Sequence, residues 1–579
     1  MKTNLFFCLI FLVALMGQAQ DKEKLGVQEV LVTKSYTPSL SDVFKIRTQA
    51  EGIDSLKSTP IPLDYKLLDV PVVSTFVPNK ATPLKLQRQE RTIEYNSVLG
   101  LGLGNQGQLD VEFGLSLPLD RQQYLGLDLL STKRGRVPDT SLRSDQSQTL
   151  VAVAHDYYTN KAQASQQLRF DTRRTNYYGL PDSPGLLSQF QTENLNPQQR
   201  RNYLQGSSRW IWYDNFLQKA TLKLQHTADD FSTSEQLVTL NAQMRLEIFD
   251  AYLTFSPHVQ LVRSQFAKDY FSGEAVETQQ RLLSSGVQWV NLKNRFKYKI
   301  GLQGYYWGDA ANTSEQQWYV YPDLILLYQP KKSKIQPYLY LSGGLDTNSY
   351  TTFSNQNPFV APTLALRPTD RAWDAKLGFD TVFNTGVTFG FESFYTQKRW
   401  APLFQKLAFN PATPSTAYGF VNSYGVLYDH QQKFGAQVKA NLELQEDNQL
   451  SIVLGYAAYQ QEKEEVAWNL PGLTAKINGE FKFFNRLGFS FDLDYWGNRT
   501  VAERPVFLNQ SPEANSPVAV KLKGVTQLQL EARYALNDQW NMYLQSQLLA
   551  GDSAQVWYTY PTYTNLLLVG MRYKFDILF

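Results

Sequence analysis

Cysteine is almost missing from this chain of 579 residues: Cys8 stands alone, inside an apolar run near the start. A disulfide framework is therefore excluded. Histidine is scarce too. His155, His226, His258 and His430 lie far apart, with no HExxH or CxxC spacing, so no metal site is expected. No GxxxxGK[ST] run is present to cradle a phosphate, and no cofactor is expected. No local pattern marks a nucleophile and its base, so no catalytic residues are assigned and the chain reads as a non-enzyme. An excess of one charge is lacking as well: 56 basic residues face 53 acidic ones, which implies no nucleic-acid partner. Past the first 16 residues no segment approaches 18 consecutive apolar residues, so no later membrane helix is expected.

What the chain has in quantity is aromatic residues. Thirty-four Tyr, 34 Phe and 11 Trp occur at a mean hydropathy of −0.37. Many rings without long apolar runs indicate short alternating strands. The first 19 residues read as a secretory signal: Lys2, the apolar run Leu5 to Met16, then Gly17-Gln18-Ala19 at a cleavage point. The alternative is an uncleaved anchor. Residues 20–95 carry Pro38, Pro60, Pro62, Pro71, Pro78 and Pro83. Proline removes backbone donors and restricts its predecessor, so this stretch reads as an extended periplasmic segment, either a linker or a docking arm.

From Asn96 to Phe579 the texture is alternation over segments of roughly ten residues, the length a tilted membrane strand needs. In the last segment Leu567, Val569, Met571, Tyr573, Phe575, Ile577 and Phe579 share one face, opposite Gly570, Arg572, Lys574 and Asp576. Counting such segments gives 22 strands, among them 161–169, 203–212, 317–329, 386–398, 433–445, 518–534 and 565–579. Connections after even-numbered strands are five residues or fewer, as at Thr159-Asn160 and Asn384-Thr385. Those after odd-numbered strands are usually long, as at 170–202, 346–372 and 399–432, where Tyr418–Tyr428 is assigned to a loop or to an upright hairpin within it. Short turns on one side, long loops on the other and an even strand number describe an outer-membrane barrel. A propeller would repeat at a fixed period, and a sandwich would show steady turn spacing. The fold class is thus all-β, a transmembrane antiparallel barrel of about 22 strands in the outer membrane, solvated by its lipid.

Aromatic clusters at Trp210, Trp212 and Tyr213, and at Tyr305, Tyr306, Trp307, Trp318, Tyr319 and Tyr321, are expected at the membrane–water boundary. Gly100, Gly102 and Gly104 are expected to relieve strand crowding. Arg173-Arg174 and Arg200-Arg201, near the ends of one long loop, are candidates for lipopolysaccharide phosphates or for a solvated loop.

Two regions then carry a resemblance. The terminal strand, with Tyr573, Phe575 and Phe579, resembles the assembly signal of outer-membrane proteins, which implies the outer-membrane assembly machinery as a partner. Val27-Gln28-Glu29-Val30-Leu31-Val32-Thr33 resembles the segment that opens many TonB-dependent receptors. Tyr36-Thr37-Pro38-Ser39-Leu40-Ser41-Asp42 and Val70-Pro71-Val72-Val73-Ser74-Thr75-Phe76 look like the amino-terminal region of receptor-like barrels of the Bacteroidota. The resemblance implies binding or transport of a solute across the outer membrane. The chain departs from it in one respect: residues 20–95 are too short and too proline-broken for the globular plug that fills such receptors. The alternative function is a non-transporting subunit of an outer-membrane protein assembly or export complex, with residues 20–95 docking a periplasmic or lipoprotein partner. A barrel this wide needs something in its lumen. The expected occluders are residues 20–95, the long loops, or a partner.

Overall fold

The computed structural model describes residues 95–577, apart from 181–195, 312–315, 332, 385, 410–416, 446–447, 485, 504–517 and 552–554. The signal, nearly all of the 20–95 segment and Phe579 lie outside the described residues.

The wall opens with β1 (Ser97–Gly104), β2 (Leu109–Pro118), β3 (Gln123–Arg134), β4 (Gln146–Tyr158) and β5 (Ala162–Asn176). It continues through β6 (Gln198–Trp212), β7 (Leu217–Asp229), β8 (Ser234–Ile248), β9 (Ala251–Phe266), β10 (Val276–Asn291) and β11 (Phe296–Asp309). Then come β12 (Gln316–Tyr328), β13 (Ile335–Asp346), the loop helix α1 (Tyr350–Gln356), β14 (Thr369–Asn384), β15 (Val387–Lys406), β16 (Tyr424–Gln445) and β17 (Asn448–Gln461). The last arc holds β18 (Leu473–Phe483), β19 (Leu487–Trp496), a loop hairpin of β20 (Arg499–Glu503) and β21 (Val518–Leu522), then β22 (Val525–Ala535) and β23 (Trp540–Ala550). A second loop hairpin, β24 (Gln555–Trp557) with β25 (Tyr560–Pro561), precedes the closing strand β26 (Asn565–Phe575). Twenty-two of these strands form one antiparallel sheet, and β1 pairs with both β2 and β26, so the sheet closes on itself.

Closure leaves no strand edge, which is what lets a sheet cross a membrane. Period-two alternation then sorts the side chains. Leu101, Leu168, Leu224, Leu302, Leu377 and Val569 point outward and are exposed, an apolar belt for lipid. Inward residues are polar and cross-linked: Glu112 with Arg572 at 2.8 Å, Asp323 with Lys299 at 2.7 Å, Glu480 with Arg533 at 3.4 Å. The belt has aromatic edges. Trp318 lies near one end of β12 and Tyr328 at the other, ten residues apart. At about 3.3 Å per residue and a tilt of about 40°, that separation spans about 25 Å of height, the thickness of the apolar band. Phe249 and Phe484, in two short turns, are 92% and 94% exposed and mark the periplasmic edge. This is a membrane-spanning barrel of the outer-membrane type.

The seam between first and last strands bears out the reading of the early glycines. Gly102 faces Gly570 across β1 and β26, and a Cβ on either would collide with the Tyr543 side chain. Outward on the same seam, the Tyr573 and Phe575 rings stack at 5.5 Å, and Trp540 lies 4.5 Å from Tyr573.

Three expectations need correction. First, the strands run further at the loop rim than alternation indicates. β15 holds 20 residues and β16 holds 22, and Tyr424–Tyr428 belong to β16 rather than to a loop. At about 3.3 Å per residue and 40° of tilt, β15 rises about 50 Å, twice the apolar band. A register shift between Lys398 and Ala401 lets the pair bend there as a tower above the membrane. Second, residues 518–534 are not one strand: β21 pairs with β20 outside the wall, and β22 begins at Val525. Third, only two of the six residues of the second aromatic cluster sit at the lipid boundary. Tyr306 and Trp318 face out, whereas Tyr305, Trp307 and Tyr319 pack inward with Leu282 and Leu345, because neighbours in a strand face opposite ways.

Candidate functional site

The long connections do not splay into solvent. Among the described residues, thirteen buried ones from six loops and the adjoining strand ends form one core over the extracellular mouth. Val137 and Leu142 come from the β3–β4 loop, Tyr177 and Tyr178 from β5–β6, and Tyr270 from β9–β10. Phe359 and Ala361 come from β13–β14, Ala417 and Tyr418 from β15–β16, and Tyr560 and Tyr563 from the last loop. Phe231, from a seventh loop, packs against them. A second core seats α1 against the wall through Tyr350, Phe353, Val360, Leu364, Leu366 and Phe266.

Tyrosine hydroxyls tie the loops together. Tyr177 donates to Val360 O at 2.7 Å, Tyr178 to Pro561 O at 2.8 Å, Tyr270 to Ala408 O at 2.7 Å and Tyr424 to Tyr558 O at 3.0 Å. Tyr560 donates to Asn422 O and Tyr563 to Gly135 O. The Tyr560 ring stacks on Phe359 and meets Tyr178 edge-on at 4.9 Å. The Lys406 ammonium, at the tip of β15, reaches Gly179 O at 3.3 Å. Gly179 is where this packing is tightest, since a Cβ there would overlap the Tyr560 ring. Gly179→Ala is expected to loosen the cap by about 1–3 kcal/mol through overpacking while leaving the wall intact. Faster proteolysis of the loops at unchanged resistance to heat in detergent would show it.

The cap is latched to the wall by charged groups. Glu235 of β8 is 1% exposed and accepts the Tyr350 and Thr351 amides of α1 at 2.7 and 3.0 Å, with the Ser264 hydroxyl at 2.7 Å. A carboxylate at a helix N-terminus satisfies amides that have no partner within the helix. At the other side of α1, the Tyr350 hydroxyl donates to Asp229 at 2.7 Å and accepts from Arg201 Nε and Gln199 Nε2, both at 3.0 Å.

Burial shifts the cap tyrosines. It raises Tyr177, Tyr178, Tyr350 and Tyr560 well above the ordinary value, and pushes Tyr563 up to about 12 against the opposing pull of Arg134. A solvated tyrosine ionises near pH 10. A raised folded value means stability that is complete below pH ~10 and lost as pH climbs past 12. Ion conductance is therefore expected to stay low through pH ~10, where exposed tyrosines ionise, and to rise only as pH climbs past about 12.

Below the cap the lumen opens into a cavity of about 1030 Å³ along β7–β11, reaching up to Asp346 and Thr347 where the α1 loop departs. Its lining is mostly polar, with amides such as Asn241 and Gln260, hydroxyls such as Ser256 and Ser284, and the cations Lys219, Arg245 and Lys299, beside apolar Leu282, Val290 and Leu345.

The sequence-level candidates fall differently. Arg173 pairs with Arg201 and Arg174 with Arg200 across β5 and β6, so all four lie on strands. Arg173 faces inward to Asp171 at 2.8 Å, and Arg201 is buried in the latch. Neither of these two belongs to a solvated loop or meets lipopolysaccharide. Tyr573 and Phe575 sit on the lipid-facing seam. Glu235, Tyr350 and the tyrosine network carried no local signal: alternation places Glu235 inward but does not say what it meets. Among the described residues no group of three or more His, Cys, Asp or Glu is placed to hold a metal.

Among solved structures, the chain is similar to the FrpB iron transporter from Neisseria meningitidis (F3-3 variant), with a TM-score of 0.60 at 9% identity over 83% of this chain and 82% of that one. It is similar to the siderophore receptor PirA from Acinetobacter baumannii, with a TM-score of 0.60 at 11% identity over 84% and 81%. It is also similar to the ferripyoverdine receptor of the outer membrane of Pseudomonas aeruginosa, with a TM-score of 0.57 at 10% identity over 84% and 72%. At such identities the shared property is the fold, a closed 22-strand antiparallel barrel. No family model and no curated protein matches the chain.

Proposed function

We propose that this protein is an outer-membrane receptor-like barrel for the binding or transport of a solute, gated by a cap made of its own loops. The observation that carries the reading is the cap itself: a packed, latched lid of six loops standing over a polar cavity. A lumen lined by amides, hydroxyls and charges suits a polar solute, and the likeness to iron and siderophore receptors supports a transport role. In this reading residues 20–95 form an extended periplasmic segment after a signal of residues 1–19. Tyr573, Phe575 and Phe579 serve as the assembly signal, and the amino-terminal stretches belong to a receptor-like barrel of the Bacteroidota type.

A second reading draws on the extent of the same cap. A mouth closed by thirteen buried residues also suits a non-transporting subunit of an assembly or export complex, with residues 20–95 holding a periplasmic or lipoprotein partner. Extraction in mild detergent separates the two. A solitary barrel that admits solute into proteoliposomes supports transport. A stoichiometric partner, lost when residues 21–95 are deleted, with no solute entry, supports the subunit. The reading is non-enzymatic in either form. His155 bonds Gln123, His258 bonds Asn241 and His430 bonds Glu462, none of which supplies a nucleophile. Lipid or peptide cleavage abolished by a single lumen Ser or His substitution would overturn it.

A further inference from the structure

The lumen below the cap carries an unbalanced set of cations. Arg209 of β6 is in register with Thr221 of β7, which places Lys219 and Lys223 on its two diagonals. Lys219 in turn faces Gln243, with Arg245 two residues further along β8. Diagonal neighbours on an antiparallel pair lie about 7–8 Å apart, within reach of long side chains. Among the described residues none of these four is in an ion pair. Several other lumen cations have a carboxylate partner: Lys299 with Asp323, Arg399 with Asp370, Arg572 with Glu112. Lys219 and Arg245 border the large cavity, whose described lining holds one carboxylate, Asp346, at its upper edge. A smaller hollow of about 220 Å³ on another arc of the wall has the opposite character, with Asp110, Asp492 and Glu531 against one Arg134.

Like charges held this close repel one another. The repulsion is relieved when an anion enters, more strongly in a cleft with low-dielectric walls than in open water. Between the cations the wall offers amides and hydroxyls, each able to donate and to accept, which match the alternating donors and acceptors of ring hydroxyls. We propose that this basin binds an anionic, polyhydroxylated solute, its acid groups on Lys219, Arg245, Arg209 and Lys223 and its hydroxyls on Asn241, Gln243 and Gln260. The assignment rests on the receptor reading and names its substrate class.

The test is calorimetric titration of the full-length protein in detergent with an oligogalacturonate, a chain of carboxylated sugar rings, and with a neutral oligomaltose of the same length. The charged chain binds, more weakly as salt rises, and the neutral chain does not. Lys219→Gln and Arg245→Gln each weaken binding about tenfold, the worth of one charged hydrogen bond. Asp492→Asn, in the acidic hollow, leaves it unchanged. Heat-shifted migration on gels confirms that each variant is a folded barrel. Equal binding of both chains, no binding of either, or indifference to Lys219→Gln and Arg245→Gln would overturn the proposal. Binding without entry into proteoliposomes sinks transport and spares the basin. Entry without preference for the charged chain does the reverse.

Discussion

A variant in which residues 349–366 are replaced by a short glycine-serine link is expected to conduct ions steadily, where the intact protein stays shut. The link is geometrically feasible because Asp346 and Thr369 already face each other in register at the feet of the loop, so a short turn can join β13 to β14. What is lost is α1 and most of the core beneath the cap: Tyr350, Phe353, Val360, Leu364 and Leu366, together with Phe359 and Ala361 from the core above. The Tyr560 ring loses its stacking partner and Arg201 loses the hydroxyl it holds. A 22-strand lumen without an occluder is wide, so conductance in a planar bilayer should rise by about tenfold or more. If the variant stays closed, the loops are not the barrier. Conductance that appears only when residues 21–95 are deleted as well would assign a second barrier to that segment.

Glu235→Ala should unlatch the same cap without removing any of it. The carboxylate accepts two backbone amides and one hydroxyl in a place water does not reach, and alanine leaves all three unpaired. Charged hydrogen bonds are worth about 1.5–3 kcal/mol each, and stranded buried donors add their own cost, so the cap should lose about 3–5 kcal/mol. Glu235→Gln keeps one acceptor oxygen but turns an amide toward the helix donors, and should cost roughly half as much. Protease cleavage within 349–366 on intact membranes reads this directly, and heat-shifted migration on gels shows that the barrel survives. Unchanged protection in Glu235→Ala would mean that packing alone holds α1 in place.

The wall was legible because its physics is local. Each of the 22 expected segments overlaps one strand of the barrel, since period-two alternation and the contrast of short and long connections survive without knowledge of partners. Strand ends above the membrane were not legible. Past the apolar band both faces of β15 and β16 touch protein or water, so Ala401, Leu403 and Tyr424 are buried where the pattern no longer alternates. The cap was least legible. Its contacts join residues hundreds of positions apart, as when Tyr178 bonds Pro561 or Tyr563 bonds Gly135, and no window of sequence contains both ends. The basic pair Arg200-Arg201 shows the same limit. A strand gives its two members opposite fates, one exposed and one sealed beside Tyr350.

Seven of the thirteen described residues in the upper core are tyrosines, where most cores would place leucine or isoleucine. An aliphatic lid, once lifted, would present a greasy underside to the cell exterior and would tend to stick to whatever it met. A phenol keeps its hydroxyl when its neighbour leaves, and water takes over the bond that a carbonyl gave up. A lid of this composition, if lifted, would therefore meet water with far less tendency to aggregate than an aliphatic one. Such a cover would tolerate repeated exposure, as the gate of the proposed function would need, better than an aliphatic one.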